Sequence, residues 1–547
     1  MVEQLYINRL EVRDASGSLV STGRLSDYYL LEDHSTFDTS SRKVLNIPVP
    51  GLQPGYSLEV VATRREMGTP KEFTFLPFVF SQAFPVQESV LYLTGDTGSV
   101  RSAASPSIKA EPVGAGLCWR WKDPPAARWE PLAPSTPDYL PMLWLTDASS
   151  RWPQLVTNYL AEIADRLVLP KEQSDLALKL TASATNTAQK VAAIARHLQT
   201  NYTYKAIEFG RRARIPQRLP ELLRNKYGDC KDHAVLAQQM LRAAGIPATL
   251  ALVSFNAPIR EDLPSLDQFD HMVVHVPLEG KDFFLDCTAK TADLTTLWTF
   301  GLPGRQSLLL DPDNPRFVRI PEYPTNSSSI HVNRSIELTN STDALIHEVV
   351  EFNGVIAGYM RQYLRNQAVS TRRAYIAAEF VGSFGELLDV AVKGLDQPES
   401  PCDLTLTYLV RGQFQGLEKQ IVGNLPIGFE RTFLLNQPSE KRTSPFEVAA
   451  PLLIDAAVAM SLPSNLKAKP PADARQAAES RFVHCNVVTE TSDHGWHVSY
   501  HLEENAGRFP SGDYSSHCRA LQQAVDLLRP RLVATAEESA VLKSSAR

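Results

Sequence analysis

The chain has 547 residues with 55 basic and 61 acidic side chains, a formal charge of −6, and at roughly 100 to 200 residues per domain it has room for three to four domains. No polybasic run or acidic tail interrupts that balance, which argues against nucleic acid or an anionic lipid surface as the main partner. Six cysteines (Cys118, Cys230, Cys287, Cys402, Cys485 and Cys518) lie scattered without CxxC spacing, too few for a disulfide scaffold, and read as mostly reduced thiols.

The opening stretch, MVEQLYINRLEVRDASGSLV, alternates apolar and polar residues like a strand and lacks the basic start and apolar core of a signal peptide. As written, the chain reads as cytoplasmic; strands and a leader preceding it would make it periplasmic or secreted. Up to about residue 145, short runs such as KVLNIPV, SLEVVATR and SVLYLTG are broken by Gly, Pro, Asp and Ser, the pattern of antiparallel strands. Residues 1–145 are therefore expected to form a β-sandwich-like domain. The proline-dense segment 123–141 can neither continue a helix nor donate to a sheet at its prolines, and is expected to be an extended connector near a domain boundary.

Past this connector the period changes. WPQLVTNYLAEIADRLVL and TNTAQKVAAIARHLQTNY place apolar residues three and four apart, each after a candidate Ser or Thr cap. The runs ATLALVSF, HMVVHVPL and DFFLDCTA then read as strands, so 146–325 is expected to be an α+β unit. From 326 to 547 strand-like runs return (IHVNRSIELT, LIHEVVEFN, LTLTYLVRGQF, HVSYHLEE), with helical stretches at YMRQYLRNQAVSTRRAYIAAEFV and HCRALQQAVDLLRPRLVAT. The apolar segment VAAPLLIDAAVAMSLP is broken by Asp455 and is shorter than the ~20 residues of a membrane span. No titratable cluster in this last region points to chemistry, and no fixed-period repeat is visible.

The stretch YGDCKDHAVLAQQMLRAAGIPA carries one cysteine at a helix start. Gly228 suits a tight turn, Asp229 is a favoured N-cap, and Val235, Leu236, Met240 and Leu241 recur at helical spacing. Unpaired N–H groups and the helix dipole favour a thiolate at Cys230; on composition alone a buried, inert cysteine is the more common role. A nucleophile needs a base and an orienting group. A two- or four-residue turn in LEGK pairs residues whose numbers sum to 559, which sets Val273 opposite Asp286 and His271 two residues along on the same face. Diagonal neighbours of this kind are roughly 7 to 8 Å apart, within reach of an imidazole and a carboxylate. A three-residue turn would turn Asp286 to the other face. His275 shares the face of His271, and Cys287 points the opposite way from Asp286.

These residues resemble a known family. YGDCKDHAVLAQQMLRAAGIPA is similar to the cysteine motif of the bacterial transglutaminase-like (papain-like cysteine protease) superfamily, FDHMVVHV to its histidine motif and FFLDCTA to its aspartate motif. The resemblance implies Cys230 as nucleophile, His271 as base and Asp286 as orienter, with an α+β core flanked by β-rich regions. Cys287 departs from it, since many relatives carry proline there. More weakly, 1–145 resembles the β domain of unknown function that precedes such cores, with the match starting part-way into it, and 330–547 their C-terminal region.

The function this implies is acyl transfer through a Cys-His-Asp triad, with a protein or peptide substrate and no cofactor. Hydrolysis ranks above amine transfer because water is the default acceptor unless a site excludes it; an amine or acyl thioester is the co-substrate of the transferase alternative. The Cys230 N–H is a natural oxyanion donor and Tyr204 is a candidate second donor, with core packing as its other role. Two other classes compete: a zinc site built from Cys230 and His233 with His271, His275 or Cys287, which lacks a second close-spaced pair, and a non-catalytic scaffold around a relic core.

Overall fold

The computed structural model describes residues 2–32, 43–67, 75–207, 210–294, 301–340, 342–382, 385–417, 419–426, 428 and 442–536. Alternating polar and apolar residues give strands throughout the N-terminal region. One three-stranded sheet has Val2–Arg13 between Leu19–Thr22 and Ser57–Met67; another has Gly116–Lys122 between Glu88–Leu93 and Glu111–Val113. The proline-dense stretch 123–141 is irregular apart from one 3₁₀ turn at Thr136–Asp138. The chain then returns to the region it came from, because Met142–Asp147 pairs with both Leu76–Val79 and Val100–Ser105. The irregular stretch also reaches the C-terminal region: the Glu130 carboxylate accepts the N–H groups of Thr443 (3.0 Å) and Ser444 (2.7 Å).

Three helices, Trp152–Glu162, Lys171–Thr181 and Thr187–Asn201, follow. Their caps differ from the Ser and Thr expected. The first begins after Arg151 with no side-chain cap, a proline inside its first turn supplying the fixed φ instead, and the third is capped by Asn186, which accepts the Gln189 N–H. These helices pack with the Cys230–Ala243 helix on one face of a five-stranded antiparallel sheet. Its order is Lys281–Leu285, His271–Leu278, Thr249–Val253, Gln306–Leu309, Arg316–Arg319. Met272, Val274, Leu285 and Cys287 point to the helices, while Val273 and Phe284 point to a smaller cluster with Leu302 and Ile320 on the other face.

The loop from Ser254 to Asp270 is fastened to the N-terminal region. Leu263 packs with Met142 and Trp144, the Thr146 hydroxyl donates to the Pro264 carbonyl (3.2 Å), and the Arg260 guanidinium lies 5.0 Å from the Trp144 ring. From the first helix, the Trp152 indole donates to the Glu261 carbonyl (2.8 Å). Gln268 braces the loop internally, donating to Leu263 O (2.6 Å) and accepting from Arg260 N (2.7 Å).

The C-terminal region is built on an eight-stranded sheet in which Ser328–Leu338 and Leu452–Ser461 run parallel at the centre. Strict alternation of burial along Ser328–Leu338 gives one apolar face, covered by the helices Val355–Arg365 and Tyr514–Leu527. The apolar segment weighed as too short for a membrane is thus a central strand, with Asp455 on the solvated side. Among the described residues no helix is long and apolar enough to cross a membrane. The stretch read as one long helix from His517 onward ends at Leu527, and after Pro530 the chain forms the strand Arg531–Ala536, proline being unable to continue a helix. The fold class is α+β, with β-rich regions on both sides of the core.

Candidate active site

The Cys230 helix starts at a capping box. The Asp229 carboxylate accepts the N–H groups of Lys231 and Asp232, and the Asp232 carboxylate accepts the Asp229 N–H (3.0 Å), an arrangement worth about 1 kcal/mol at a helix start. Residues 230 to 238 are all buried, so the helix is held by its whole circumference. Gly228 is needed for space, not for the tight turn expected of it: a Cβ there would lie 2.6 Å from the Asp232 Cβ and 2.9 Å from Leu222 Cδ1.

Beneath the cap lies a charge network with no local sequence signal. Arg212, from a short 3₁₀ segment upstream, donates to Asp232 (2.7 Å) and approaches Asp229 (3.4 Å), Lys231 donates to Asp229 (3.0 Å), and the Gln217 side chain donates to Asp232 (2.9 Å). Burial, then the neighbouring Asp232 carboxylate, raise the Asp229 carboxyl to about 6. Burial also pushes Asp232 up, but the Arg212 guanidinium outweighs it and holds this carboxyl below its ordinary value.

The hairpin fixes His271. Its turn is Glu279–Gly280, both with positive φ (51° and 78°), as a two-residue type I′ turn requires. Val274 therefore pairs with Leu285, the register whose numbers sum to 559, and Asp286 follows directly. The His271 Nε2 lies 2.9 Å from the Asp286 Oδ2, and the other Asp286 oxygen accepts the Thr288 N–H (2.8 Å) and hydroxyl (2.7 Å). Cys230 and His271 line one cavity; with Nε2 engaged by Asp286, Nδ1 is the nitrogen left for the thiol. Burial disfavours the charged imidazole, yet the Asp286 carboxylate, with Cys230, outweighs it and raises His271 to about 10. Asp286 is itself lowered against its burial, chiefly by His271.

Cys230 and His271 open on a cavity of about 240 Å³. Its apolar wall includes Leu252, Leu266, Phe269 and Met272, and Tyr159, Lys231 and Arg214 also line it. Sequence patterning did not find Tyr159, whose hydroxyl donates to the Arg214 carbonyl (2.9 Å). Tyr204 lies on the strand that pairs beside Gly228, two residues before Cys230, with its ring centroid 6.1 Å from that of His233; it is not among the residues that line this cavity. The residues weighed as zinc ligands are held apart by other partners. The His233 Nδ1 meets the Asp229 carbonyl (2.9 Å), the His275 Nε2 meets Asp282 (2.7 Å), and the Cys287 thiol, pushed to about 12 by burial, packs on the helix side. Among the described residues no three His, Cys, Asp or Glu side chains converge as a metal would require.

Residues 174–285 match the family model of the transglutaminase-like superfamily. This part of the chain is a transglutaminase-like domain. In overall fold, the chain is similar to a candidate protease from Parabacteroides distasonis, at 17% identity and a TM-score of 0.65 over 97% of this chain and 89% of that one. It also matches a candidate cysteine protease from Cytophaga hutchinsonii at 15% identity and a TM-score of 0.19, over 40% of this chain and 72% of the other. No curated protein matches it. The transglutaminase-like match covers Cys230 and His271 and stops one residue before Asp286.

Proposed function

We propose that the protein is a thiol-dependent acyl-transfer enzyme acting as a cysteine peptidase or amidase, with Cys230 as nucleophile, His271 as base and acid, and Asp286 as orienter. The observation that carries the reading is the His271–Asp286 hydrogen bond (2.9 Å) with Cys230 and His271 together at the wall of one cavity. An imidazole raised to about 10 is protonated at neutral pH, so His271 is charged opposite the sulfur before substrate arrives. The thiolate adds to the substrate carbonyl, His271 gives its proton to the leaving amine, and the C–N bond breaks to leave a thioester. Water, deprotonated by His271, then adds to the thioester carbon and the sulfur leaves as thiolate, restoring the imidazolium. The Asp229 cap takes the N–H groups of Lys231 and Asp232, and that of Cys230, which lacks an intrahelical acceptor, is the first proposed oxyanion donor. Tyr204 is the proposed second; Tyr204→Phe should lower the rate about 10²-fold in that role, and an unchanged rate returns Tyr204 to packing against His233.

The test is to incubate the full chain with a panel of peptide amides and activated acyl donors and to look for an adduct on Cys230 by mass spectrometry. A Cys230 thioester that decays to free acid in the presence of millimolar primary amine supports the hydrolase. Amide as the main product, with saturable dependence on amine, replaces it with the transferase. No adduct with any donor favours the scaffold.

A further inference from the structure

An aromatic ring packs against His271. The Phe255 ring lies 4.9 Å from it, centroid to centroid, tilted by 51°, and Phe255 does not line the substrate cavity. The loop that carries Phe255 is tied to the residue next to the base. One Asp270 carboxylate oxygen accepts the Phe255 N–H (2.9 Å), and the other accepts the Asn256 N–H (3.2 Å) and side-chain amide (2.7 Å). From behind, the Arg305 guanidinium lies 5.9 Å from the Phe255 ring and donates to the carbonyls of Gly301 (3.0 Å) and Ser254 (3.3 Å). Gly301 has φ +86°, and a Cβ there would lie 3.3 Å from Phe255 Cε1; its N–H donates to the Tyr323 hydroxyl (3.1 Å). Backbone, carboxylate and guanidinium thus hold one aromatic ring in one place, against the His271 imidazole and outside the lining of the cavity.

We propose that Phe255 is a positioning residue for the base: its ring fixes the plane of His271 and keeps water from the His271–Asp286 hydrogen bond, with Asp270 and Arg305 holding it there. The proposal rests on the thiol-enzyme reading above. Water at that bond would raise the local dielectric and weaken the attraction between imidazolium and carboxylate, and a loosely held ring would spend less time facing the sulfur. The charged and titratable groups around His271 are Cys230 and Lys231 from the helix, Asp286 beyond the hairpin, Asp270 and Arg305 on the loop side, and Arg214 across the cavity.

Alkylation of Cys230 by iodoacetamide, followed at its own peptide by mass spectrometry in the full chain, tests this without a substrate. The readout is the rate at pH 6 relative to pH 9, because only a thiolate stabilised by a charged His271 reacts quickly at the lower pH. Phe255→Ala should lower that ratio about tenfold, and Phe255→Trp should keep it within about twofold of the wild type. Asp270→Asn, which loosens the loop while leaving the ring in the sequence, should lower it about threefold and covers the case of a poorly folded alanine variant. A folded Phe255→Ala protein with the wild-type ratio, or an unchanged ratio in Asp270→Asn, overturns the proposal. His271→Ala separates the two levels of inference. If it lowers the ratio and Phe255→Ala does not, the clamp alone falls; if it leaves the ratio unchanged, the pairing of thiol and base falls and the clamp with it.

Discussion

Charge is buried under the Cys230 helix and again in the C-terminal region, and the two burials face different surroundings. Arg334 and Glu348, on adjacent strands of the eight-stranded sheet, have side chains 1% and 0% exposed; the Arg334 Nε donates to the Glu348 Oε1 (3.2 Å) and the Tyr408 hydroxyl to its Oε2 (2.9 Å). A Cβ on Gly428 would fall 2.0 Å from the Arg334 guanidinium, so backbone closes over the pair. The Asp229, Asp232 and Arg212 group is also buried or half-buried, but through Lys231 it reaches the wall of a cavity and it supports the turn that holds a thiol. Buried ion pairs are weak evidence for net stability and often serve to specify one arrangement of strands. A buried charge points to chemistry only where a nucleophile and open space adjoin it.

The sharpest separation is expected from the thiol itself. Cys230→Ala should abolish turnover and leave unfolding by urea unchanged within about 1 kcal/mol, since it removes the attacking atom and little volume; Asp286→Asn should lower kcat by about 10⁴, as the comparable change does in serine proteases. An Asp286→Asn protein that fails to fold would make that aspartate structural and erase the contrast. Next comes the sealed pair. Glu348→Gln should cost about 3–5 kcal/mol in urea unfolding, because it removes the carboxylate charge opposite the buried Arg334 guanidinium, while kcat per folded molecule stays the same. Asp232→Asn should fall between the two clusters, with a loss of about 1.5–3 kcal/mol for a charged hydrogen-bond acceptor and a several-fold slower labelling of Cys230. Normal labelling would place the Asp232 network with the structural pair.

The pH dependence of stability gives a gentler test. His271 is raised to about 10 from an unfolded value near 6.5, so its contribution is complete below about pH 6.5 and is lost as pH rises toward 10. Asp286 is lowered, so its contribution is present above its unfolded value of about 3.9 and is lost as pH falls further. The stability difference between wild type and His271→Gln, measured by urea unfolding, should therefore be greatest between about pH 4 and 6.5 and decline on both sides. A difference that stays flat from about pH 3 to 10, with no decline on either side, would deny the pair its charge. The smallest effect is expected at the neighbouring pair: His275→Gln breaks a contact with Asp282, whose side chain is half exposed, and should cost no more than about 1 kcal/mol with activity retained.

What was legible in the sequence follows from how local the cause is. The 559 register could be read because a two-residue turn leaves one pairing, and the Asp229 cap because its donors lie two and three residues away. Arg212 joins the same cap from 17 and 20 residues upstream, and no spacing rule connects a 3₁₀ segment to a helix start at that distance. Phe255 and Asp270 meet because adjacent antiparallel strands end together, so their contact depends on loop shape more than on period. The central strand Leu452–Ser461 went unrecognised for another reason: Ala456, Ala457 and Ala459 lie on both faces, and residues of one size hide the alternation that marks a strand.

The fastening of the Ser254–Asp270 loop to the N-terminal sheets bears on how much chain the site needs. Residues 174–285 contain Cys230 and His271 and stop one residue short of Asp286, and a fragment cut to those limits would also strip Leu263 of Met142 and Trp144, Arg260 of its aromatic platform, and Glu261 of its indole donor. The same loop supplies Leu266, Phe269 and Asp270 to the cavity. The stretch that the family model matches is therefore smaller than the set of residues that holds the walls of the cavity, and excision of the flanking sheets would unmoor the Ser254–Asp270 loop even in a fragment extended to keep Asp286.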